Sequence, residues 1–490
     1  MNRSAPSGIG PAAAPIAEDL ARFAVTLRLE DVPTPVVECA RLCLLDLVGV
    51  TLAGAQEAAA RPIAQFVRTM GGAPEAAAWG YGYRAPAALA ALVNGSLGHH
   101  LELDDGHILG HVHPGATIIP AAFALAEARR ARGRDLLTAI IAGYEILIRV
   151  GRGIAASAMY DRGYHGPGLL GAFGAAGAAA AILGLDLERA THAIGNCCLT
   201  PAATFQAFKE GAGVKDLYCG WPAMVGTLAA QLAAGGIGGP RELFEGKLGF
   251  ARAVADTYDL ASITADLGSA WLLPTAYVKR HSACSFAHTM IDAVLSLSQA
   301  GAIPPDEIER VVVRTHRFAA ELNESAPATL TAAKSSLPFC AALALAKGHA
   351  LLADFTPAAL ADPAVRALAA RTTIVSDPEL DARHAAREDR RPARVEVTLR
   401  SGECLVAERD VARGWPEDPL TPDEIVGKFR ALLEPRYGPG LIGRLLETIL
   451  SLQDLPDVTA LGRLFAAGPP AGHHQTPARP KPFVHRRAVE

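Results

Sequence analysis

Between His99 and His113 the chain places five imidazoles and three carboxylates within fifteen residues: His99-His100-Leu101-Glu102-Leu103-Asp104-Asp105-Gly106-His107, then His111-Val112-His113-Pro114-Gly115. Side chains this costly to desolvate persist near a core only when paired, hydrogen-bonded or used in chemistry. Imidazoles beside carboxylates suit either divalent-metal binding or acid–base catalysis by an oriented histidine. The spacing matches no defined metal motif, so the second use is favoured and no metal is expected. His113, fixed by Pro114-Gly115 at the start of the next helix, is the leading functional candidate. For His99, His100 and His107, capping or surface hydrogen bonding is a sufficient explanation.

Three other loci carry charge into apolar sequence. His165 lies in Gly163-Tyr164-His165-Gly166-Pro167-Gly168, directly before an Ala/Gly-rich segment, where free amides at a helix start favour an anion such as a carboxylate. Lys215 interrupts glycine-rich and apolar residues, and a salt bridge with Asp216 is its plain alternative. Lys279-Arg280-His281, followed by Cys284 and His288, puts three basic side chains in a row, which suits a polycarboxylate or an exposed turn equally. Cys284 is either a thiolate near that charge or a buried structural thiol.

The elements that must position these residues fall into two patterns. Residues 16–270 are dominated by Ala/Leu/Gly-rich runs with helical spacing, such as Val36 to Leu52, Ala85 to Leu97 and Ala121 to Ala131. After Pro304-Pro305 the pattern changes. Ile308 to Thr315 and Thr372 to Val375 read as strands, Leu337 to Leu345 as a helix. Val395, Val397 and Leu399 alternate with polar residues before a return at Cys404 to Ala407. Thr421-Pro422-Asp423-Glu424 is a capping box that opens a further helix. The expected architecture is a discontinuous helical domain, 16–275 with 406–465, and an α+β lid domain, 276–405. Residues 1–15 and 466–490 are expected to be disordered.

At 490 residues, two domains are the natural expectation. Half the residues are apolar, but Leu169 to Leu185 is mostly alanine and glycine and reads as a buried helix rather than a membrane span. No signal-peptide pattern follows Arg3, so a cytoplasmic location is expected. The formal charge of −4, without a basic run beside interleaved aromatics, gives a nucleic-acid surface no support. The eight cysteines show no paired C-x-x-C spacing and read as reduced thiols.

Six segments, among them VNGSLGHHLELDDGH with HPGATIIPAAFALAE, GYHGPGLLGAFGAAGAAAAILGL, VKDLYCGW, VKRHSACSFAHTMIDAV and AKSSLPFCAALAL, together resemble the MmgE/PrpD family over about residues 16–465. That family includes 2-methylcitrate dehydratase and cis-aconitate decarboxylase. The resemblance implies a large all-α domain built from both chain ends, a smaller α+β lid and a homodimer. It also implies a cleft acting on small di- or tricarboxylates without a cofactor. By position, His113, His165, Lys215 and Lys279 match its active-site residues, and Glu102 and Asp105 fall in its acidic element. Departures occur at Glu102, Gly106, Gly166, Tyr218 and Cys284. Cys284 stands where the cis-aconitate decarboxylases carry a histidine.

The resulting expectation is a hydro-lyase on a 2-methylcitrate-like hydroxy-tricarboxylate of propionate metabolism. His113 and His165 are the base and acid in open order, and the two lysines stabilise enediolate charge. Glu102 and Asp105 orient His113, while Arg280, His281 and Cys284 contact substrate. An epimerase or decarboxylase of a related acid such as iminodisuccinate or cis-aconitate is the nearest rival. A non-catalytic carboxylate-binding protein is the alternative of a different class.

Overall fold

The computed structural model describes residues 14–154, 159, 162–200, 203–297 and 303–468. Nearly all of both terminal segments expected to be disordered lies outside the described residues. Of the described residues 59% are helical, with a mainly helical N-terminal part and an α+β C-terminal part.

Helices Ala87–His100, Pro114–Arg129, Gly133–Gly153, Gly166–Leu183 and Leu217–Ala234 pack on one another as the centre of the first core. That core runs from Ala17 to Leu273 and is completed by Ile425, Phe429, Leu445 and Phe465 from the last three helices. Helix Gly166–Leu183 is apolar and long enough to cross a membrane, yet 83% of it is buried inside the protein, because its small residues let neighbouring helices approach on every side. Two of these helices begin at a proline-containing first turn. Proline lacks an amide hydrogen that a first-turn residue would leave unbonded anyway, so Pro114 and Pro167 fix where the helices start. Their N-caps are His113 and His165.

A short hairpin, β1 (Ala76–Ala78) with β2 (Tyr83–Ala85), decorates the helical part. The second core, from Ala283 to Val397, is built on a four-stranded sheet of β3 (Ile308–Thr315), β4 (Thr372–Ser376), β5 (Ala393–Leu399) and β6 (Cys404–Arg409). The strand order is β4-β3-β5-β6, with β3 parallel to β4 and the other pairs antiparallel. The register places Val311 opposite Val397 and Val313 opposite Val395. These buried valines share one face, which packs on helices His288–Leu297 and Leu337–Lys347. Beyond the sheet, Thr421 caps helix Pro422–Leu433 as the sequence predicts. Its hydroxyl accepts from Glu424 N, and the Glu424 carboxylate accepts from Thr421 N.

Candidate functional site

The loop joining helix Ala87–His100 to helix Pro114–Arg129 is anchored from several directions. Gly106 N donates to Tyr277 O at 3.1 Å and Tyr277 N to Gly106 O at 2.7 Å, a two-bond bridge that lays the loop against the segment carrying Lys279. A Cβ on Gly106 would fall 2.2 Å from the Tyr277 hydroxyl, so glycine is required by this approach. Lys428 Nζ donates to Leu103 O at 2.8 Å. Ser282 Oγ and Lys334 Nζ donate to Leu101 O at 2.7 and 3.1 Å. Glu102 and His111 adopt left-handed backbone at φ 55° and 49°, a strained conformation for side-chain-bearing residues that turns both inward.

Inside this loop the charges pair. Glu102 stands between two lysines: Oε1 meets Lys215 Nζ, and Oε2 accepts from Lys279 Nζ at 2.8 Å. Lys279 also lies 3.7 Å from Asp104 Oδ1. All four groups are buried. Lys215 reaches the site from the turn Gly213–Asp216, which is held by Asp216 Oδ2 accepting from His100 Nδ1 at 2.7 Å. The expected alternative of a Lys215–Asp216 salt bridge thus gives way to Lys215–Glu102. Burial, with repulsion from Lys279, pulls the Lys215 ammonium down to about 7 against the raising field of Asp216.

Asp104 organises the histidines. Its Oδ2 accepts from His99 Nδ1 at 2.8 Å and lies 3.2 Å from His113 Nδ1, which also donates to Asp105 O at 2.7 Å. Both partners of His113 Nδ1 can only accept, so this nitrogen carries hydrogen in either protonation state and Nε2 is left to the cavity. Burial opposes ionisation of Asp104, but His99, His113 and Lys279 outweigh it and hold the carboxyl well below the usual range. His99 is pushed down to about 3, chiefly by burial and then by Lys215, and so is neutral.

The neighbouring Asp105 behaves differently. Its Oδ1 accepts from Gly115 N at 2.8 Å and its Oδ2 from the Tyr144 hydroxyl at 2.7 Å. Burial raises it to about 7. A Cβ on Gly115 would meet Asp105 Oδ1 at 2.5 Å, which explains the glycine after Pro114.

His165 is buried at the start of its helix. Its ring centroid lies 4.5 Å from that of Tyr218 and 5.8 Å from that of Phe205, and burial drives its pKa well below the ordinary value. His107 accepts from Gly110 N at Nδ1, 2.9 Å, so its Nε2 donates to Thr275 Oγ1, also at 2.9 Å. A cavity of about 30 Å³ is bounded by Glu102, His113, His165, Lys215, Cys284 and Arg391 among others, drawing on both cores. That is room for about two waters.

The structure therefore brings Glu102, His113, His165, Lys215, Lys279 and Cys284 to one place. It separates the other two expected contacts. Arg280 is exposed and does not line the cavity. His281 is buried away from it, with Nε2 2.9 Å from Asp292 Oδ1. The expectation that Glu102 and Asp105 orient His113 through their carboxylates is also corrected, since Asp104 does so while Asp105 contributes only its backbone carbonyl. Missed by sequence reasoning were Asp104 and Arg391. The available signal for the first was its place in the acidic run Glu102–Asp105 beside the histidines.

His99, Asp104 and Cys219 present donor atoms within 4.8 Å of one another, the one such grouping among the described residues. A ligating thiol must lose its proton. Burial, then the Asp104 charge, raises Cys219 well above its ordinary value, so this trio fits a metal poorly.

Fold and site together define a mainly helical protein with an α+β C-terminal part and a buried acid–base cluster between the two cores. The chain belongs to the MmgE/PrpD family: the model of the MmgE/PrpD N-terminal domain matches residues 18–262 and that of the C-terminal domain residues 281–452. It is similar to a cis-aconitate decarboxylase-like protein, oryM, of Aspergillus oryzae, with 28% identity covering 91% of this chain and 96% of that protein. It is also similar to a cis-aconitate decarboxylase of Aspergillus terreus, at 26% over 91% and 95% of the two chains. The cis-aconitate decarboxylase of Homo sapiens is 25% identical over 94% and 97%.

Proposed function

We propose that this chain is a lyase that acts, without metal or organic cofactor, on a small hydroxy-tricarboxylate of the 2-methylcitrate type. The observation that carries the reading is the Glu102 carboxylate held between two buried lysines beside His113 and His165, because the same cations would face a substrate carboxylate on which charge develops. His165, kept neutral by burial, accepts the proton from the carbon next to the carboxylate. The enediolate charge grows against Lys215 and Lys279. His113, whose imidazolium the Asp104 carboxylate would stabilise, gives its Nε2 proton to the departing hydroxyl. The C–H and C–OH bonds break, a carbon–carbon double bond forms, and one water leaves.

A second reading, decarboxylation, is favoured by the relatives' names. Here carbon dioxide departs from a cis-aconitate-like acid and the resulting carbanion takes the His113 proton.

The test incubates purified protein with citrate, 2-methylcitrate, cis-aconitate and iminodisuccinate in deuterated buffer. Water loss with an ultraviolet-absorbing product supports the dehydratase, and carbon dioxide release with deuterium uptake supports the decarboxylase. Exchange alone indicates an epimerase, and binding without turnover indicates a carboxylate-binding protein. A cytoplasmic homodimer belongs to the same reading. An exposed apolar stripe on helix Leu217–Ala234, Trp221, Leu228 and Leu232, supports pairing of two copies, and sedimentation of a Trp221→Glu variant tests it.

A further inference from the structure

A second cavity, of about 210 Å³, adjoins the inner one and shares His111, Phe286 and Arg391 with it. It is several times roomier than the reaction cavity, and its walls differ in kind. One wall is apolar: Ile108, Phe286 and Phe318. Aromatic contacts run unbroken along it from the inner site, His165 to Phe205, Phe205 to Phe318 at 5.9 Å, and Phe318 to Phe286 at 5.0 Å.

The rest of the cavity's lining is charged and polar. Arg391 lies 3.9 Å over the Phe286 ring with Nη1 tied to Ser285 Oγ, and its Nε is buried without a partner among the described residues. His316 is 1% exposed and neither ring nitrogen has a partner among the described residues. It stacks at 4.1 Å on His384, whose Nδ1 donates to Arg390 O at 2.6 Å, leaving Nε2 for another contact. Two carboxylates, Asp381 and Glu388, also line the cavity, and Arg317 adds a second arginine. Asp381 Oδ1 is taken by Arg317 N at 2.9 Å, and Glu388 is exposed. Polar groups buried without partners are costly unless a ligand completes them.

We propose that this outer cavity is a second substrate subsite, so that the natural substrate is a polycarboxylate bearing a tail of several carbons that ends in a carboxylate. The tail lies along Ile108, Phe286 and Phe318, and its terminal carboxylate meets Arg391, His316 and His384. The proposal rests on the polycarboxylate reading of the inner site and names its substrate class.

Titration calorimetry on the full chain with citrate, 2-methylcitrate, and citrates carrying a pentyl or a 4-carboxybutyl group in place of the methyl tests it. The 4-carboxybutyl compound is expected to bind at least about tenfold more tightly than 2-methylcitrate. Ala385→Trp, which fills the cavity from a solvent-exposed position, removes that advantage and leaves 2-methylcitrate within about twofold. His316→Leu erases the preference for the carboxylate-ended tail over the pentyl tail. Equal affinity for long and short probes, or equal weakening of both by Ala385→Trp, overturns the subsite alone. Failure of every probe to bind the wild-type chain overturns the polycarboxylate reading with it.

Discussion

Two ionic networks in this chain pair basic side chains with carboxylates to opposite ends. Around Glu102, the lysines and carboxylates are almost fully excluded from solvent. On the sheet's outer side, Glu408 of β6 is shared between Arg383 and Arg394, and all three side chains keep about a third of their surface exposed. An exposed pair is screened and contributes roughly 0–1 kcal/mol. A buried one must first recover several kcal/mol of desolvation per ion, so it is a poor way to stabilise a fold. The lesson is that the buried cluster fixes charges where a reaction needs them, while the ladder on the sheet only decorates a stable element.

The sharpest way to break this contrast is Glu102→Ala, which removes the carboxylate that the two buried lysines share. It is expected to cost about 3–5 kcal/mol in urea unfolding, and a loss below about 1 kcal/mol would place the cluster in the same class as the surface ladder. Next comes His113→Ala. Turnover is expected to fall by at least roughly a hundredfold with circular dichroism unchanged; near wild-type turnover removes His113 from the chemistry.

A smaller effect concerns protons. Lys215 lies at about 7, so it is charged below that pH and neutral above it. A carboxylate ligand favours the charged form, and affinity is expected to fall by up to about tenfold per pH unit above 7. Calorimetry in buffers of different ionisation enthalpy should detect proton uptake on binding near neutrality, and none would exclude Lys215 as the titrating contact. The smallest effect belongs to Glu408→Ala, which should change unfolding free energy by less than about 1 kcal/mol. A larger loss would mean that the sheet depends on its ladder.

The secondary structure was legible wherever local pattern and burial coincide. Strand β3 spans Ile308–Thr315 as read, because its valines alternate between the core and the exposed face, and Thr421 caps its helix through bonds made within four residues. The site was legible only as a composition. Asp104 and Asp105 are adjacent and chemically alike, and nothing local says which faces the histidines. Arg391 sits in a charged run that reads as solvent-exposed, and Arg280 sits beside Lys279 as if equivalent. Asp104 meets the histidines while Asp105 is buried against Tyr144, and Lys279 is buried while Arg280 is exposed; those choices are made by segments far away in sequence.

By itself the sequence determined the helical and α+β parts, the family, and the concentration of acid–base residues in one loop, since these follow from periodicity, capping and residue type. Tertiary structure alone decided the partnerships. Lys215 and Lys279 meet on Glu102 because Gly106 and Tyr277 bridge two segments more than a hundred and fifty residues apart. Arg391, His316 and His384 meet because a sheet folds them over the helical core. Ion pairing and desolvation depend on distance and on the exclusion of water, and both exist only once the two cores have closed on each other.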